Sequence, residues 1–230
     1  MSTIGLVVFD LAGTTVKDDG QIGICFQDAM AAAGYVLATD DIYPLMGYKK
    51  PEAIRMMIEA VSGQPADPAQ VAAIHDSFES RMVQHYQQHA VLEVLPNVER
   101  VFIALKKQGI RVGLNTGFSR VIADAIVHRL GWLYHGLADY LVASDEVPAG
   151  RPHPFMIQRM MEAAGITDAK QVVKVGDTEV DVHEGINAGC LYSIAVTTGA
   201  FSREALLPHG PSHIIDDMAE LLSILAILPE

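Results

Sequence analysis

The chain has 230 residues, of which 50% are hydrophobic, and its formal net charge at pH 7 is -12. This length and hydrophobic content allow one large domain, or a medium domain that carries a smaller one, with a substantial buried core. The basic residues are scattered and form no stripe that would hold a phosphate backbone, so we do not expect nucleic acid as a partner. An anionic substrate would need a locally positive pocket or a bound cation in such a negative field.

The first predicted strand is followed by a long helical insertion. Residues 4–9 are apolar without alternation, which is typical of a parallel strand with both faces covered. Residues 20–89 instead show helical periodicity and turn signals, and helices are predicted there at 22–33, 40–46, 51–61 and 66–89. We therefore predict an inserted α-helical cap domain. The cap comprises residues 17–91, with linkers near 16–19 and 90–95, and the core comprises residues 1–16 and 92–230.

From residue 98 onward, predicted helices and strands alternate along the chain. The strands fall at residues 110–115, 171–175 and 191–196, with a weaker one at 140–143. The helices fall at residues 98–108, 120–130, 154–164 and 181–188. This alternation predicts an α/β fold with a doubly wound parallel sheet, similar to a Rossmann fold. The apolar segment at residues 221–229 is predicted to be a last helix on the sheet, and a homodimer contact is the alternative.

The sequence carries no sign of export or membrane insertion. Cys25 and Cys190 are the only cysteines and form no disulfide framework, so reduced thiols are expected. The apolar run at residues 4–9 has no basic flank and is too short for a signal peptide. No stretch reaches the roughly 18 to 20 apolar residues that a membrane span needs. We expect a soluble, cytoplasmic protein with no membrane partner.

Polar residues follow the predicted strands at one edge of the sheet, which is where ligands bind in open parallel sheets. They are Asp10 after the first strand, Thr116 after the second, Arg151 in the loop before the helix at 154–164, and Asp177 with Asp181 after the strand at 171–175. Each alone has an ordinary explanation as a turn cap, a surface charge or an acid at a helix N-terminus. Together and in this order, they predict one functional site.

Longer motifs surround these residues, namely FDLAGTT at 9–15, MGYKK at 46–50, GRPHPFM at 150–156 and GDTEVDVHEGINAGC at 176–190. With these motifs the sequence resembles the haloacid dehalogenase superfamily of aspartate-nucleophile hydrolases over nearly its whole length, and within it the phosphonatase group. The resemblance implies an enzyme in which Asp10 attacks phosphorus and becomes an aspartyl phosphate. It also implies a helical cap that closes over the site, and a small anionic substrate that is a phosphonate or a phosphate ester.

The same resemblance implies a Mg²⁺ site and a set of groups for the phosphoryl oxygens. Mg²⁺ would be bound by the carboxylates of Asp10 and Asp177, by the backbone carbonyl of Ala12, and by Asp181 directly or through a water. Oxygen ligands of this kind suit Mg²⁺, which would also offset the repulsion between the acids and a phosphoryl group. Thr116 and Arg151 would then hold the remaining phosphoryl oxygens.

Ala12 stands where phosphatase members of the superfamily carry an aspartate that protonates the leaving group. In phosphonatases a cap lysine instead condenses with an aldehyde, and the iminium accepts the electrons released when the carbon–phosphorus bond breaks. Lys50, three residues after Gly47, is expected to be this Schiff-base lysine, with Lys49 or Mg²⁺ as the cation that lowers its pKa. Further substrate contacts are expected from Ala12, Met46, Lys49, Gly117 and Phe118.

Three residues expected of a phosphonatase are absent. Ala53, Gly20 and Phe118 stand where phosphonatases carry a histidine, a cysteine and a tyrosine that shape the lysine's environment and the aldehyde pocket. The expected reaction is cleavage of the carbon–phosphorus bond of phosphonoacetaldehyde or a similar phosphonate. A phosphate monoester phosphatase, of the phosphoglycolate or sugar phosphatase type, is the open alternative. A dehalogenase and a non-catalytic binding module are disfavoured, because the acidic motif and Asp10 are both retained.

Overall fold

A parallel sheet of six strands forms the centre of the computed structural model, which describes residues 4–88 and 92–227. In chain order the strands are β1 (Leu6–Asp10), β2 (Arg111–Thr116), β3 (Tyr140–Ala143), β4 (Val172–Gly176), β5 (Tyr192–Val196) and β6 (His213–Ile215). Their order across the sheet is β3-β2-β1-β4-β5-β6, and every neighbouring pair is parallel. The chain starts in the middle and winds first to one edge and then to the other. The predicted doubly wound α/β fold is therefore confirmed.

Four α-helices and no strand occupy residues 20–88. They are α1 (Gln21–Ala32), α2 (Thr39–Ile42), α3 (Lys50–Ser62) and α4 (Pro68–Gln88). α4 packs against α1 and α3, and the rings of Phe26 and Phe78 stack between α1 and α4 with their centroids 4.2 Å apart. His89, the predicted end of the last helix, and linker residues 90 and 91 lie outside the described residues. The division of the chain into a core and a cap stays a prediction.

The two chain segments that join this insertion to the sheet run side by side. Val16 forms an antiparallel bridge with Val94. The amide of Lys17 donates to the carbonyl of Glu93 at 3.0 Å, and the Lys17 ammonium lies 2.9 Å from the Glu93 carboxylate. The two connections between the insertion and the sheet therefore lie next to each other.

Helices cover both faces of the sheet. They are α5 (Val98–Lys107), α6 (Arg120–Leu130), α7 (Phe155–Ala164) and α8 (Glu179–Asn187). In β1, Val7 and Phe9 pack into the larger apolar cluster with residues of α5 and α6. Leu6 and Val8 pack on the opposite face with residues of α7. Coverage of both faces explains why the strands are apolar without alternation.

The C-terminal part contains elements that the sequence patterns did not predict. After the short helix α9 (Arg203–Leu206), β6 adds a three-residue edge strand, which is too short for a hydrophobic period to be visible. α10 (Glu220–Ile224) is shorter than the helix predicted at 221–229, because Ala226 adopts a φ of 54° that is incompatible with a right-handed helix. Predicted helix residues 228 and 229 lie outside the described residues. None of the described helices is long and apolar enough to cross a membrane.

Candidate active site

The carboxyl ends of three neighbouring strands carry three of the predicted site residues. Asp10 is the last residue of β1, Thr116 is the last of β2, and Asp177 directly follows β4. Because β1 lies between β2 and β4 in a parallel sheet, these ends meet at one edge. Arg151 reaches the edge from the loop between β3 and α7, and Lys50 reaches it from the start of α3. All five residues line one cavity of about 30 Å³.

Three buried acids lie close together beside this cavity, and two of them, Asp10 and Asp177, line it. Ligand oxygens of Asp10, Asp177 and Asp181 all lie within 4.8 Å of one another. Burial, followed by the charges of Asp10 and Asp181, raises the pKa of Asp177 to about 8. Burial also raises the pKa of Asp10. Buried carboxylates this close repel one another, so the donor set fits a hard divalent cation such as Mg²⁺.

The Asp177 carboxylate is held in place by the loops around it. It accepts hydrogen bonds from the hydroxyl of Thr14 at 2.9 Å and from the amide of Ala200 at 2.8 Å. Gly13 and Gly199 allow this close packing, since an added Cβ would lie 2.5 Å and 1.9 Å, respectively, from Asp177 Oδ2. Any larger side chain at either glycine would displace the carboxylate.

Arg151 links two of the acids. Its guanidinium is fully buried and donates to Asp10 Oδ1 at 2.6 Å and to Asp181. Among the described residues, the Nε of Arg151 is the one buried side-chain nitrogen or oxygen that lacks a hydrogen-bond partner. A spare donor on a side chain that lines the cavity fits a phosphoryl oxygen, which is the contact predicted for Arg151.

A buried lysine that sequence reasoning missed supports the acid cluster. Lys174 is fully buried in β4, and its ammonium lies 2.8 Å from Asp181 and 2.8 Å from the side-chain oxygen of Asn115. Glu184 is also fully buried and accepts from the side-chain amide of Asn115. The sequence does contain a signal for this ion-pair cluster, namely a lysine inside the apolar run VVKVG. A charged side chain in a buried strand needs a buried partner of opposite charge.

Both oxygens of Asp181 are engaged by protein donors. Oδ1 accepts from Arg151 and Lys174, and Oδ2 accepts from the Thr178 hydroxyl at 2.5 Å. Burial opposes ionisation, but Arg151 and Lys174 together hold the pKa of Asp181 below its ordinary value. Asp181 was expected to bind the metal directly or through a water. Because both of its oxygens already accept from protein donors, this arrangement favours contact through a water.

The turn after β2 orients the hydroxyl of Thr116. Its oxygen accepts the backbone N–H of Phe118 at 3.1 Å, so the hydroxyl can donate its own hydrogen to a ligand. Thr116 is buried and lines the same cavity as Asp10 and Asp177. This arrangement suits the phosphoryl contact predicted for Thr116.

Lys50 is buried between two aromatic rings. Its Nζ lies 5.3 Å from the ring centroid of Phe26 and 5.1 Å from that of Phe118. Burial, followed by the charge of Arg151, lowers the pKa of Lys50 to about 8. At pH 7 such a lysine holds about a tenth of its amine in the neutral, nucleophilic form. Of the protein's cations, Arg151 is therefore the one that lowers the pKa of Lys50, and Lys49, one of the two cations expected from the sequence, is not. The other expected cation, Mg²⁺, stays a prediction.

The other residues expected at the substrate fall into two groups. Those that line the cavity are Ala12, Met46, Gly117 and Phe118. Lys49 does not line it: its ammonium lies 3.5 Å from the carbonyl oxygen of Val147, and its side chain lines a separate cavity of about 690 Å³. Lys49 precedes α3 whereas Lys50 is its first residue, so the two neighbouring side chains point in different directions.

Two glycines let the MGYKK loop (residues 46–50) lie directly on the strand ends. Gly47 has a φ of 86°, and an added Cβ there would lie 2.4 Å from the Thr178 hydroxyl. An added Cβ on Gly117 would lie 2.4 Å from the carbonyl oxygen of Tyr48 and 2.6 Å from that of Gly47. The contact between the insertion and the sheet therefore depends on the absence of side chains at both positions.

Substituting Gly117→Ala should impair the approach of this loop to the sheet. The new methyl group would press on two backbone carbonyl oxygens, which cannot move as a flexible side chain could, so we expect kcat/KM to fall about tenfold or more. Gly23→Ala is the matched control, because its added Cβ in α1 would meet nothing within 4 Å. Steady-state kinetics and thermal unfolding of both variants measure the effect. Equal kcat/KM for the two variants would contradict this account of the loop.

Removing one carboxyl group from the acid cluster should abolish the stabilisation of the protein by the metal. We expect Mg²⁺ to raise the unfolding temperature of the wild-type protein and EDTA to abolish its activity. In Asp177→Asn the metal-free protein should be about as stable as wild type at pH 7, because the Asp177 carboxyl, with a pKa of about 8, is mostly neutral there, and Mg²⁺ should no longer stabilise the variant. Asp40→Asn, at an exposed acid, should respond to Mg²⁺ as wild type does. Undiminished stabilisation of Asp177→Asn by Mg²⁺ would contradict the assigned ligands.

The doubly wound sheet, with an acid-lined cavity between its strand ends and a helical insertion, defines a hydrolase. A family model for haloacid dehalogenase-like hydrolases matches residues 4–189, and the chain belongs to this family. The family resemblance of the sequence motifs is thereby confirmed, as is the prediction that the protein is an enzyme.

Two of the chain's relatives are named phosphonoacetaldehyde hydrolase. The chain is 34% identical over 226 residues to the one from Latilactobacillus sakei subsp. sakei, covering 94% of this chain and 82% of the relative. It is 31% identical over 258 residues to the one from Paraburkholderia phytofirmans, covering 97% of this chain and 95% of the relative. A crystal structure of a phosphonoacetaldehyde hydrolase-like protein from Oleispira antarctica matches the fold with a TM-score of 0.84 at 22% identity, covering 98% of this chain and 92% of that one.

Proposed function

We propose that this hydrolase cleaves the carbon–phosphorus bond of phosphonoacetaldehyde, or of a similar phosphonate with an aldehyde group, by transferring the phosphoryl group to Asp10. The observation that carries the proposal is the buried amine of Lys50, held between two aromatic rings in the same cavity as Asp10. Charge steering of a phosphate ester requires no buried amine with a lowered pKa, because a fully protonated cation serves better. The names of the two relatives support the same substrate.

Asp10 is the proposed nucleophile. Its Oδ1 accepts from Arg151 at 2.6 Å, which fixes the carboxylate so that the other oxygen can attack phosphorus. The Arg151 Nε and the Thr116 hydroxyl would bind phosphoryl oxygens and stabilise the charge that develops on them. Water then hydrolyses the aspartyl phosphate, which returns Asp10 and releases phosphate.

Lys50 is the proposed electron sink. Its neutral amine adds to the aldehyde carbonyl, and loss of water gives an iminium. When the carbon–phosphorus bond breaks, its electron pair forms a carbon–carbon double bond and the iminium pair moves onto nitrogen, giving an enamine. Protonation of the enamine carbon and hydrolysis release acetaldehyde and return Lys50. Ala12 fits this chemistry, because the leaving carbon needs an electron sink and not an acid beside the nucleophile.

Mg²⁺ is the proposed cofactor. The carboxylates of Asp10 and Asp177 and the carbonyl of Ala12 would hold it, with Asp181 acting through a water. When bound, it supplies positive charge that offsets the phosphoryl oxygens and the acids. The hydrogen bond from Thr14 keeps the Asp177 carboxylate oriented toward that position.

We propose that the insertion at residues 17–91 is a cap that opens to admit substrate. The cavity of about 30 Å³ holds roughly two waters, so a phosphonate needs more room than the closed arrangement gives. The adjacent linkers, with their Val16–Val94 bridge, supply a hinge for this movement. Closure then brings Lys50 onto the strand ends and excludes water from the reaction.

A substrate panel tests the proposed function. Phosphonoacetaldehyde, phosphoglycolate and sugar phosphates would be compared in the presence of Mg²⁺, with phosphate and acetaldehyde both measured. We expect equal amounts of phosphate and acetaldehyde from phosphonoacetaldehyde, and a kcat/KM about a hundredfold above that for any ester. Phosphate release from the esters alone, without acetaldehyde from the phosphonate, would favour the phosphatase alternative.

A further inference from the structure

Forming an imine on Lys50 requires proton transfer that Ala53, Gly20 and Phe118 do not supply. The ammonium form of Lys50 carries three hydrogens and the iminium nitrogen carries one, so two protons must pass from nitrogen to the departing oxygen. Ala53 and Gly20 have no titratable group, and Phe118 contributes only its ring to the environment of the amine. Proton transfer by a positioned side chain usually speeds such a step by about a hundredfold or more. Another group at the cavity has to provide it.

Asp18 lies at the right place for this transfer. It sits in the segment between β1 and α1, and its side chain lines the same cavity as Lys50. One carboxylate oxygen accepts from the amide of Gly20 at 3.0 Å, which fixes the orientation of the group. Among the acidic side chains that line this cavity, Asp18 is the one with no proposed contact to the phosphoryl group or the metal.

The surroundings of Asp18 favour exchange of a proton with Lys50. Burial raises the pKa of Asp18, while the charge of Lys50 from α3 acts in the opposite direction. Burial also raises the pKa of Tyr86 on α4 and of Cys25 on α1, so both face Asp18 in their neutral forms near pH 7. Asp19, the neighbour in the chain, is exposed. Among the groups that shift the pKa of Asp18, Lys50 is therefore the cation.

We propose that Asp18 relays protons between the Lys50 amine and the aldehyde oxygen during imine formation and hydrolysis, an inference that rests on the proposed function. The carboxylate of Asp18 takes one proton from the ammonium, and the neutral amine attacks the carbonyl carbon. Asp18 gives that proton to the alkoxide and takes the second from nitrogen. It then protonates the hydroxyl, the carbon–oxygen bond breaks, and water leaves as the nitrogen lone pair forms the iminium. Asp18 ends as a carboxylate, and hydrolysis of the product iminium runs the same steps in reverse.

The test compares Asp18→Asn with Asp19→Asn. The initial rate of cyanoborohydride trapping of the enzyme by phosphonoacetaldehyde at pH 7 would be measured, at reductant levels where the rate no longer depends on the reductant. We expect Asp18→Asn to trap about a hundredfold more slowly than wild type, and Asp19→Asn, at the neighbouring exposed acid, to match wild type within about twofold. Equal trapping rates for the two variants would overturn the inference.

The pH profile separates proton transfer from a purely structural role. The relay in wild type requires that Lys50 and Asp18 together hold one proton. This proton is lost as the pH rises from 7 to 9, so the trapping rate of wild type should fall over that range. Asp18→Asn needs only the neutral amine of Lys50, whose pKa is about 8, so its slower rate should rise up to about tenfold over the same range. Parallel profiles for the two proteins would assign Asp18 a structural role and overturn the relay.

Two further controls keep the outcomes distinct. Asparagine keeps an oxygen that accepts from Gly20, and if Asp18→Asn does not fold, Asp18→Ser keeps a hydroxyl acceptor there. Formate should restore part of the trapping rate of Asp18→Ser, because a small acid can replace the lost carboxyl group; no rescue by formate would count against the relay. If wild type itself forms no adduct, both the proposed imine chemistry and the relay fail. If wild type forms the adduct, the imine chemistry stands, and the comparison of the variants then tests the relay alone.

Discussion

Replacing Asp10 with asparagine is expected to lower kcat at least about ten-thousand-fold for every phosphorylated substrate that the wild type turns over. The amide oxygen is too weak a nucleophile to attack phosphorus, although it can still accept a hydrogen bond from Arg151. Because burial raises the pKa of Asp10, the folded protein gains little from that charge. We therefore expect the metal-free variant to unfold at the wild-type temperature or slightly above it. Phosphate release and thermal unfolding measure the two effects.

A second acid provides the comparison for this variant. Asp40→Asn, on the exposed surface of α2, should retain wild-type kcat. An Asp10→Asn protein that is folded, free of wild-type contamination and still has more than about a hundredth of the wild-type kcat would contradict the role of Asp10 as nucleophile. Loss of activity in both variants would indicate that the preparations are damaged. Lowered unfolding temperatures of both variants would reveal such damage.

Replacing Lys50 with arginine is expected to lower kcat for phosphonoacetaldehyde by at least about a thousandfold, because guanidinium stays protonated and cannot form an imine. The variant keeps a positive charge near the two rings that flank Lys50, those of Phe26 and Phe118. Any loss therefore reports on nucleophilicity and not on charge. Coupled detection of acetaldehyde and phosphate measures the reaction.

Lys49→Arg is the matched control for this substitution. The Lys49 side chain points to the carbonyl of Val147 and away from the catalytic cavity, so this variant should keep kcat within about threefold of wild type. If Lys50 only steered an anionic ester, Lys50→Arg would keep substantial activity, because one cation can replace another at modest cost in binding. Comparable activity in the two variants would therefore contradict the imine role.

The sheet and the strand-end residues could be predicted because both follow from local patterns. Unbroken apolar runs indicate buried parallel strands, and the carboxyl ends of such strands meet at one edge. Asp10, Thr116 and Asp177 therefore line one cavity in the structure, as expected from their positions at the ends of the apolar runs. The inserted helices followed from periodicity in the same way. Strand β6 was missed because three residues carry no period.

The surroundings of the site residues could not be predicted, because they depend on contacts between distant parts of the chain. Lys174 on β4 meets Asp181 and Glu184 on α8 only after the helix has packed on the sheet. The rings around Lys50 come from α1 and from the turn after β2, which no spacing in the sequence connects. The different directions of Lys49 and Lys50 depend on where α3 begins, and a boundary of that kind is the least certain part of a sequence pattern.

The central claim is that Lys50 forms an imine with the substrate, and reductive trapping tests it most directly. Wild-type protein would be incubated with phosphonoacetaldehyde, Mg²⁺ and borohydride, digested with a protease and analysed by mass spectrometry. The account predicts loss of activity together with an ethyl group, from the reduced product imine, on the peptide that contains Lys50, and an unmodified Asp10 peptide. It predicts no adduct in Lys50→Arg. Release of phosphate and acetaldehyde with Lys50 left unmodified in the presence of borohydride would contradict it.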